Sequence, residues 1–167
     1  MKTLLIVRHT QAAGTAAAPS DFERPLTDEG RVQAEAQGRF LQRSGMVPDV
    51  VACSAAHRAA ETAALLAQGA GVTRDIAHER HLYNATGQEL LEYVQSTPGE
   101  VGRLAVVAHM PGVGELLSLL TTRHMDLAHV YKAGTIAVVQ SEEPRWDAFN
   151  YGSGTLSVLF PPLLTGE

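Results

Sequence analysis

The chain has 167 residues, 45% of them hydrophobic and 19% charged, with a formal net charge of -5. That length suits one domain, residues 1–167, around one core, and no apolar run approaches the roughly 20 residues that cross a bilayer, so no membrane role is expected. The acidic balance argues against the basic stripe of a nucleic-acid binder, and the single cysteine, Cys53, leaves neither an internal disulfide nor a structural zinc site.

Taken in chain order, Lys2 to Val7 is an apolar, β-branched run of strand length, too short and too lightly charged for a secretory signal; a cytoplasmic location is expected. Ala12 to Pro25 has no period and reads as a surface excursion. Thr27 caps a predicted helix with Asp28 and Glu29 in its first turn, Val32, Ala36 and Phe40 on one face and Gly45 as its stop. Asp49 to Cys53 is the second predicted strand, followed by Ser54 as a turn or cap residue and a helix from His57 to Gln68 ended by Gly69 and Gly71. Thr86 and Glu89 have capping-box spacing before a Leu-rich helix, and Leu104 to Ala108 is a strand that feeds a helix over Val113 to Leu120. Thr135 to Val139, Trp146 to Tyr151 and Leu156 to Phe160 complete the strands, the last two as antiparallel partners. The alternation predicts a three-layer α/β fold: a central, mostly parallel sheet with helices on both faces and antiparallel edge strands.

In open α/β sheets, ligands gather beyond the carboxyl ends of the strands. Arg8 and His9 end the first strand, Ser54 and Arg58 lie between the second strand and its helix, and His109 ends the Leu104 strand. Two guanidiniums supply planar forks for phosphate oxygens, and a histidine beside them is kept neutral by like charge. The combination describes a phosphoanion pocket in which His9 can act as nucleophile. Cys53 and Arg58 stand one residue too close for the loop of a cysteine-dependent phosphatase, and the apolar run before Cys53 marks a buried thiol. Glu61 is the nearest acidic partner for Arg58 along the helix. His57, His78, His124 and His129 read as polar surface residues.

The ordered elements Val7-Arg8-His9-Thr10, Arg24-Pro25-Leu26-Thr27, Ser54-Ala55-Ala56-His57-Arg58 and Val107-Ala108-His109-Met110-Pro111 resemble the histidine phosphatase superfamily, also called phosphoglycerate-mutase-like. Within it, the short length and the Leu82-Tyr83-Asn84-Ala85 stretch are most similar to the small phosphohistidine phosphatases. The resemblance implies a metal-free, cofactor-free reaction in which His9 takes the phosphoryl group, Arg8, Arg58 and His109 stabilise its oxygens, and water releases it. It also implies a phosphate-bearing substrate, with a phosphohistidine-containing protein as the expected partner; a small phosphate ester, or binding of a phosphoanion without turnover, are the alternatives. Thr10 stands where many relatives carry Gly and Met110 where they carry Asn; Thr10 is a further candidate phosphate donor. Arg24 either reaches substrate or anchors the Pro25 turn. The proton donor for a leaving group is open between Glu79 and His81. A missing donor favours phosphohistidine, because a departing imidazole needs a proton less than an alkoxide does.

Overall fold

The computed structural model describes residues 1–122 and 130–163; His124 and His129 lie outside the described residues. Six strands form one sheet: β1 (Lys2–Arg8), β2 (Val50–Ser54), β3 (Ala77–Glu79), β4 (Arg103–Ala108), β5 (Ile136–Ser141) and β6 (Thr155–Phe160). Among the described residues, four α-helices accompany them: α1 (Asp28–Arg43), α2 (His57–Ala70), α3 (Gly87–Gln95) and α4 (Gly112–Thr121). The sheet order is β3-β2-β4-β1-β5-β6. β3, β2, β4 and β1 run parallel, whereas β5 reverses against β1 and β6 reverses again against β5. The fold is α/β, with a mixed, mostly parallel sheet.

Period-two alternation along the central strands sends successive residues to opposite faces and so builds two cores. Leu4 and Ile6 of β1 with Leu104 and Val106 of β4 pack under α3 and α4, joined by Tyr131, Trp146 and Phe149. Leu5 and Val7 with Ala105 and Val107 pack against Leu41 of α1 and Ala59, Ala63 and Leu66 of α2. β1 and β4 are covered on both faces, which is why they read as continuous apolar runs.

Three expectations from the sequence are corrected. The buried face of α1 is Ala34, Gln37, Gly38 and Leu41, and Val32 is exposed. Helix α2 does not end at Gly69 but runs on to Ala70; a Cβ at Gly69 would stand 2.3 Å from the Glu35 carbonyl oxygen, and one at Gly38 would stand 2.2 Å from that of Leu66. These glycines let two backbones touch, so Gly69 serves packing rather than termination. Trp146 to Tyr151 is not a strand: residues Trp146–Ala148 form a 3-10 turn whose indole N–H donates to the Val101 carbonyl at 2.8 Å. A buried indole needs such a partner, and the turn delivers it. β3 is three residues long, too short to register as a pattern in the sequence.

From β1 the chain crosses to β2 and β3 on one side, returns to β4 beside β1, and then leaves to β5 on the other side. The carboxyl ends of β1 and β4 therefore flank the point where strand order reverses, the place where α/β sheets open a crevice. His9 and His109 stand at those two ends.

Candidate active site

The strand ends bring Arg8, His9, Arg58 and His109 together. The imidazoles of His9 and His109 are 5.2 Å apart between ring centroids, and Arg58, on the first turn of α2, directs its Nε to His9 Nε2 at 3.3 Å. The His9 backbone N–H donates to the Ala108 carbonyl at 3.1 Å, tying the two strand ends at the site.

Hydrogen bonds set the tautomer of each ring. His9 Nδ1 lies 2.7 Å from the Thr10 carbonyl, which can only accept, so Nδ1 carries the proton and Nε2 keeps its lone pair. For His109 the partner is Ser54 Oγ, 2.8 Å from Nε2; that hydroxyl already accepts the Ala56 N–H at 3.2 Å. When the hydroxyl donates its proton to Nε2, the His109 proton stands on Nδ1, which is buried without a partner among the described residues. Arg8 is similar. Its Nη1 donates to the Tyr131 carbonyl at 2.7 Å, while its buried Nε has no partner there. Buried polar groups without a protein partner take one from elsewhere, and an anion's oxygens are acceptors suited to a guanidinium N–H.

Both imidazoles are held neutral. Burial is the main cause for His9, reinforced by Arg58, Arg8 and Arg24 and opposed by the Thr10 hydrogen bond, and the result is a pKa pushed down to about 4. Burial again leads for His109, with His9 and Arg58 adding to it and Asp21 opposing, and its pKa falls to about 3. Burial also lowers the pKa of Arg8.

Thr10 and Glu61 are not placed as expected, Glu79 and His81 make no hydrogen bond or ion pair with either imidazole, and Arg24 takes the anchoring one of its two readings. The Thr10 hydroxyl is fully buried and donates to the Gly30 carbonyl at 2.8 Å, so it is committed to structure; the contribution of Thr10 to the site is the carbonyl that orients His9. Gly30 permits that approach, since a Cβ there would stand 2.2 Å from the Gln11 carbonyl oxygen. Arg24 anchors its own loop, with Nε on the Ala13 carbonyl at 2.8 Å and Nη1 on Asp21 at 2.9 Å, although its charge still reaches His9. Glu79 and His81 pair with each other at 3.5 Å, and His81 sits beside Tyr93 at the exposed side of α3 rather than in the imidazole pair. Among the described residues, neither makes a hydrogen bond or ion pair with His9, Arg58 or His109. Glu61 does not pair with Arg58: it takes Arg31 Nε at 2.5 Å and the Leu26 N–H at 3.0 Å, pinning the excursion to α2.

The acid that does reach Arg58 is Asp21. Its carbonyl accepts Arg58 Nη1 at 2.7 Å and its carboxylate accepts Nη2 at 3.1 Å, Arg24 at 2.9 Å and the Tyr83 hydroxyl at 2.6 Å. The 3-10 turn Asp21–Glu23 is held over the site by Phe22, edge-on to Tyr83 at 5.0 Å and beneath the Arg80 guanidinium at 5.0 Å. Tyr83 in turn stands edge-on to His109 at 5.6 Å. No helical or strand period could reveal Asp21; its i,i+3 spacing to Arg24 was the only local signal.

Cys53 is fully buried, with its thiol pushed up to about 12 mainly by burial and 3.4 Å from His78 Nδ1, as suits an inert core residue. Met110 lines an apolar groove of about 520 Å³ with Pro111, Leu119 and Tyr151, apart from the charged cluster. Converging donors, not volume, mark the site. Among the described residues, no three of His, Cys, Asp and Glu gather as a metal centre would require, and no helix is long and apolar enough to cross a membrane.

Two neutral imidazoles and two guanidiniums at the switch point of a mostly parallel sheet define the class: an α/β protein arranged to hold a phosphoryl group. The family model of the histidine phosphatase superfamily (branch 1) matches residues 4–142, and the chain belongs to that family. Two uncharacterised Mycobacterium tuberculosis proteins, MT1313 and Rv1276c, are 29% identical over 103 residues, a match spanning 62% of this chain and 63% of theirs. Among solved structures, the "putative phosphohistidine phosphatase SixA" of Nakamurella multipartitia is 26% identical with a TM-score of 0.81, covering 98% of this chain and 97% of that one. The SixA protein of Agrobacterium tumefaciens shares the fold at the same TM-score, with 22% identity over 96% of this chain and 98% of its own. Family and fold together support a phosphatase.

Proposed function

We propose that the chain dephosphorylates phosphohistidine on a protein through a phosphohistidine intermediate of its own at His9. The observation that carries this reading is His9 Nε2, left unprotonated by the Thr10 carbonyl at Nδ1 and facing Arg58 Nε, with the His109 ring 5.2 Å away. His9 Nε2 attacks phosphorus, and the substrate's P–N bond breaks with its electron pair going to the departing imidazole. Arg58 exchanges its long contact to His9 for phosphoryl oxygens, while Arg8 and His109 donate to the others. Water then attacks phospho-His9, releasing inorganic phosphate and restoring the neutral ring. No step requires His9 to lose a proton, because burial already keeps Nε2 free at neutral pH.

The substrate choice rests on the leaving group. Glu79 and His81, the acids expected to serve an alkoxide, pair with each other and, among the described residues, make no hydrogen bond or ion pair with either imidazole. An imidazole departs without that help far more readily than an alkoxide does. The name of the SixA neighbour from Nakamurella multipartitia agrees with this substrate class. Turnover of a histidine-phosphorylated protein is compared with a panel of small phosphate esters, and an acid-labile, base-stable adduct is sought on His9. Faster ester turnover by orders of magnitude reverses the substrate assignment, and the absence of any adduct and any turnover reduces the site to a phosphoanion-binding one.

A further inference from the structure

Asp21 is joined to His9 through Arg58, the guanidinium that contacts both. In-line displacement puts the leaving atom on the face of phosphorus opposite the nucleophile. Arg58 bridges the two residues, its Nε facing His9 Nε2 and its Nη2 facing Asp21 Oδ2, so Asp21 lies across that guanidinium from the nucleophile. A carboxylate offers about four lone-pair positions. Three are occupied, by Arg58, Arg24 and Tyr83, and the side chain is 45% exposed at the mouth, so one acceptor position remains open to an incoming group.

We infer that Asp21 is the residue that selects the leaving group, accepting the free ring N–H of a phosphohistidine and disfavouring an oxyanion. The inference rests on the phosphohistidine reading above and deepens it. Phosphohistidine loses its phosphoryl group most readily when its second ring nitrogen is protonated, because the imidazole then leaves neutral. A carboxylate hydrogen-bonded to that N–H stabilises the protonated ring through a charge-assisted bond. The same carboxylate repels the negative charge that grows on a departing alkoxide or phenoxide. The Tyr83 hydroxyl first, then Arg24 and Arg58, hold the Asp21 carboxyl well below the usual carboxylate range, so it acts as an acceptor and not as a general acid. Atoms balance without a further reactant: the substrate's ring keeps its proton and gains the P–N electron pair, and His9 gains the phosphoryl group.

The test is a ratio measured within one preparation of the full chain, which cancels any inactive fraction. For the unaltered protein and for D21N, kcat/KM is measured for a phosphohistidine peptide and for p-nitrophenyl phosphate. The peptide-to-ester ratio is expected to fall about 10- to 100-fold in D21N. Loss of Arg58 positioning alone would affect both substrates alike, because Arg58 serves the phosphoryl group they share; a ratio within threefold of the unaltered protein overturns the inference. A second measurement needs no variant. At about pH 5.5, where both rings are cationic, the peptide with its free ring nitrogen methylated is expected to turn over at least tenfold more slowly than the unmethylated one, and equal rates again overturn the role of Asp21. If the unaltered protein hydrolyses the ester but not the phosphohistidine peptide, the substrate reading itself has failed.

Discussion

The two halves of the site are built differently. One half, Arg8, His9, Ser54, Arg58 and His109, stands on strand ends and the first turn of a helix, is largely buried, and has its tautomers set by neighbouring carbonyl and hydroxyl groups. The other half, Asp21, Phe22, Arg24 and Tyr83, is carried by irregular backbone and held by ion pairs and ring contacts nearer solvent. A phosphoryl group is the same in every substrate, so its donors belong on rigid elements that cost nothing to reorganise. Leaving groups differ, and the residues facing them sit on a segment that can change without disturbing the sheet.

If that division is correct, damage to the rigid half removes chemistry whatever the substrate. H9A is expected to lower kcat on the order of 10⁴-fold with every phosphate donor and to abolish the acid-labile adduct. R58A should cost roughly 100- to 1,000-fold in kcat, again irrespective of leaving group. S54A removes the hydroxyl that sets the His109 tautomer while leaving the ring in place; kcat is expected to fall about tenfold, with KM altered less. A kcat for S54A within twofold of the unaltered protein would show that the tautomer at His109 does not matter.

Stability should report the same burial. The native His9 and His109 resist protonation down to about 4 and 3, whereas the unfolded chain takes up those protons near 6.5. Between those values the unfolded state binds more protons, so stability is full above about pH 6.5 and declines as pH falls towards 4. Each ring contributes on the order of 1 kcal/mol per pH unit in that window. Chemical denaturation at pH 7 and 5 checks it, and H9A should flatten the slope. The smallest effects belong to residues outside both halves: E79Q and H81A are expected to change turnover less than about threefold, and a loss of 100-fold in either would restore the proton donor first expected there.

Much of the rigid half was legible because its signals are local. Apolar runs of strand length marked β1, β2 and β4; β1 and β4 lead directly into His9 and His109, and β2 into Arg58 within the first turn of α2. The errors arose where long-range contact overruled local pattern. Gly69 looks like a helix stop and is a helix-packing residue, because only α1 supplies the reason for it. Val32 fits a helical apolar face, yet the face chosen by packing is the one carrying Gly38 and Gln37. Thr10 has a hydroxyl at the right position in the chain, and that hydroxyl is taken by Gly30 from the next helix.

By itself, the sequence determined the alternation of strands and helices and the placing of Arg8, His9, Arg58 and His109 at the ends that converge, because hydrophobic period and position relative to a strand end are properties of short segments. Only the tertiary structure decided which ring nitrogen of His9 is free, that His109 Nε2 meets Ser54, and that Asp21, not Glu61, is the acid at Arg58. The His9 ring is set by its own neighbour Thr10 in the folded backbone, whereas the contacts of His109 and Arg58 join segments 55 and 37 residues apart. No local pattern encodes such distances; the folded sheet brings the partners within reach.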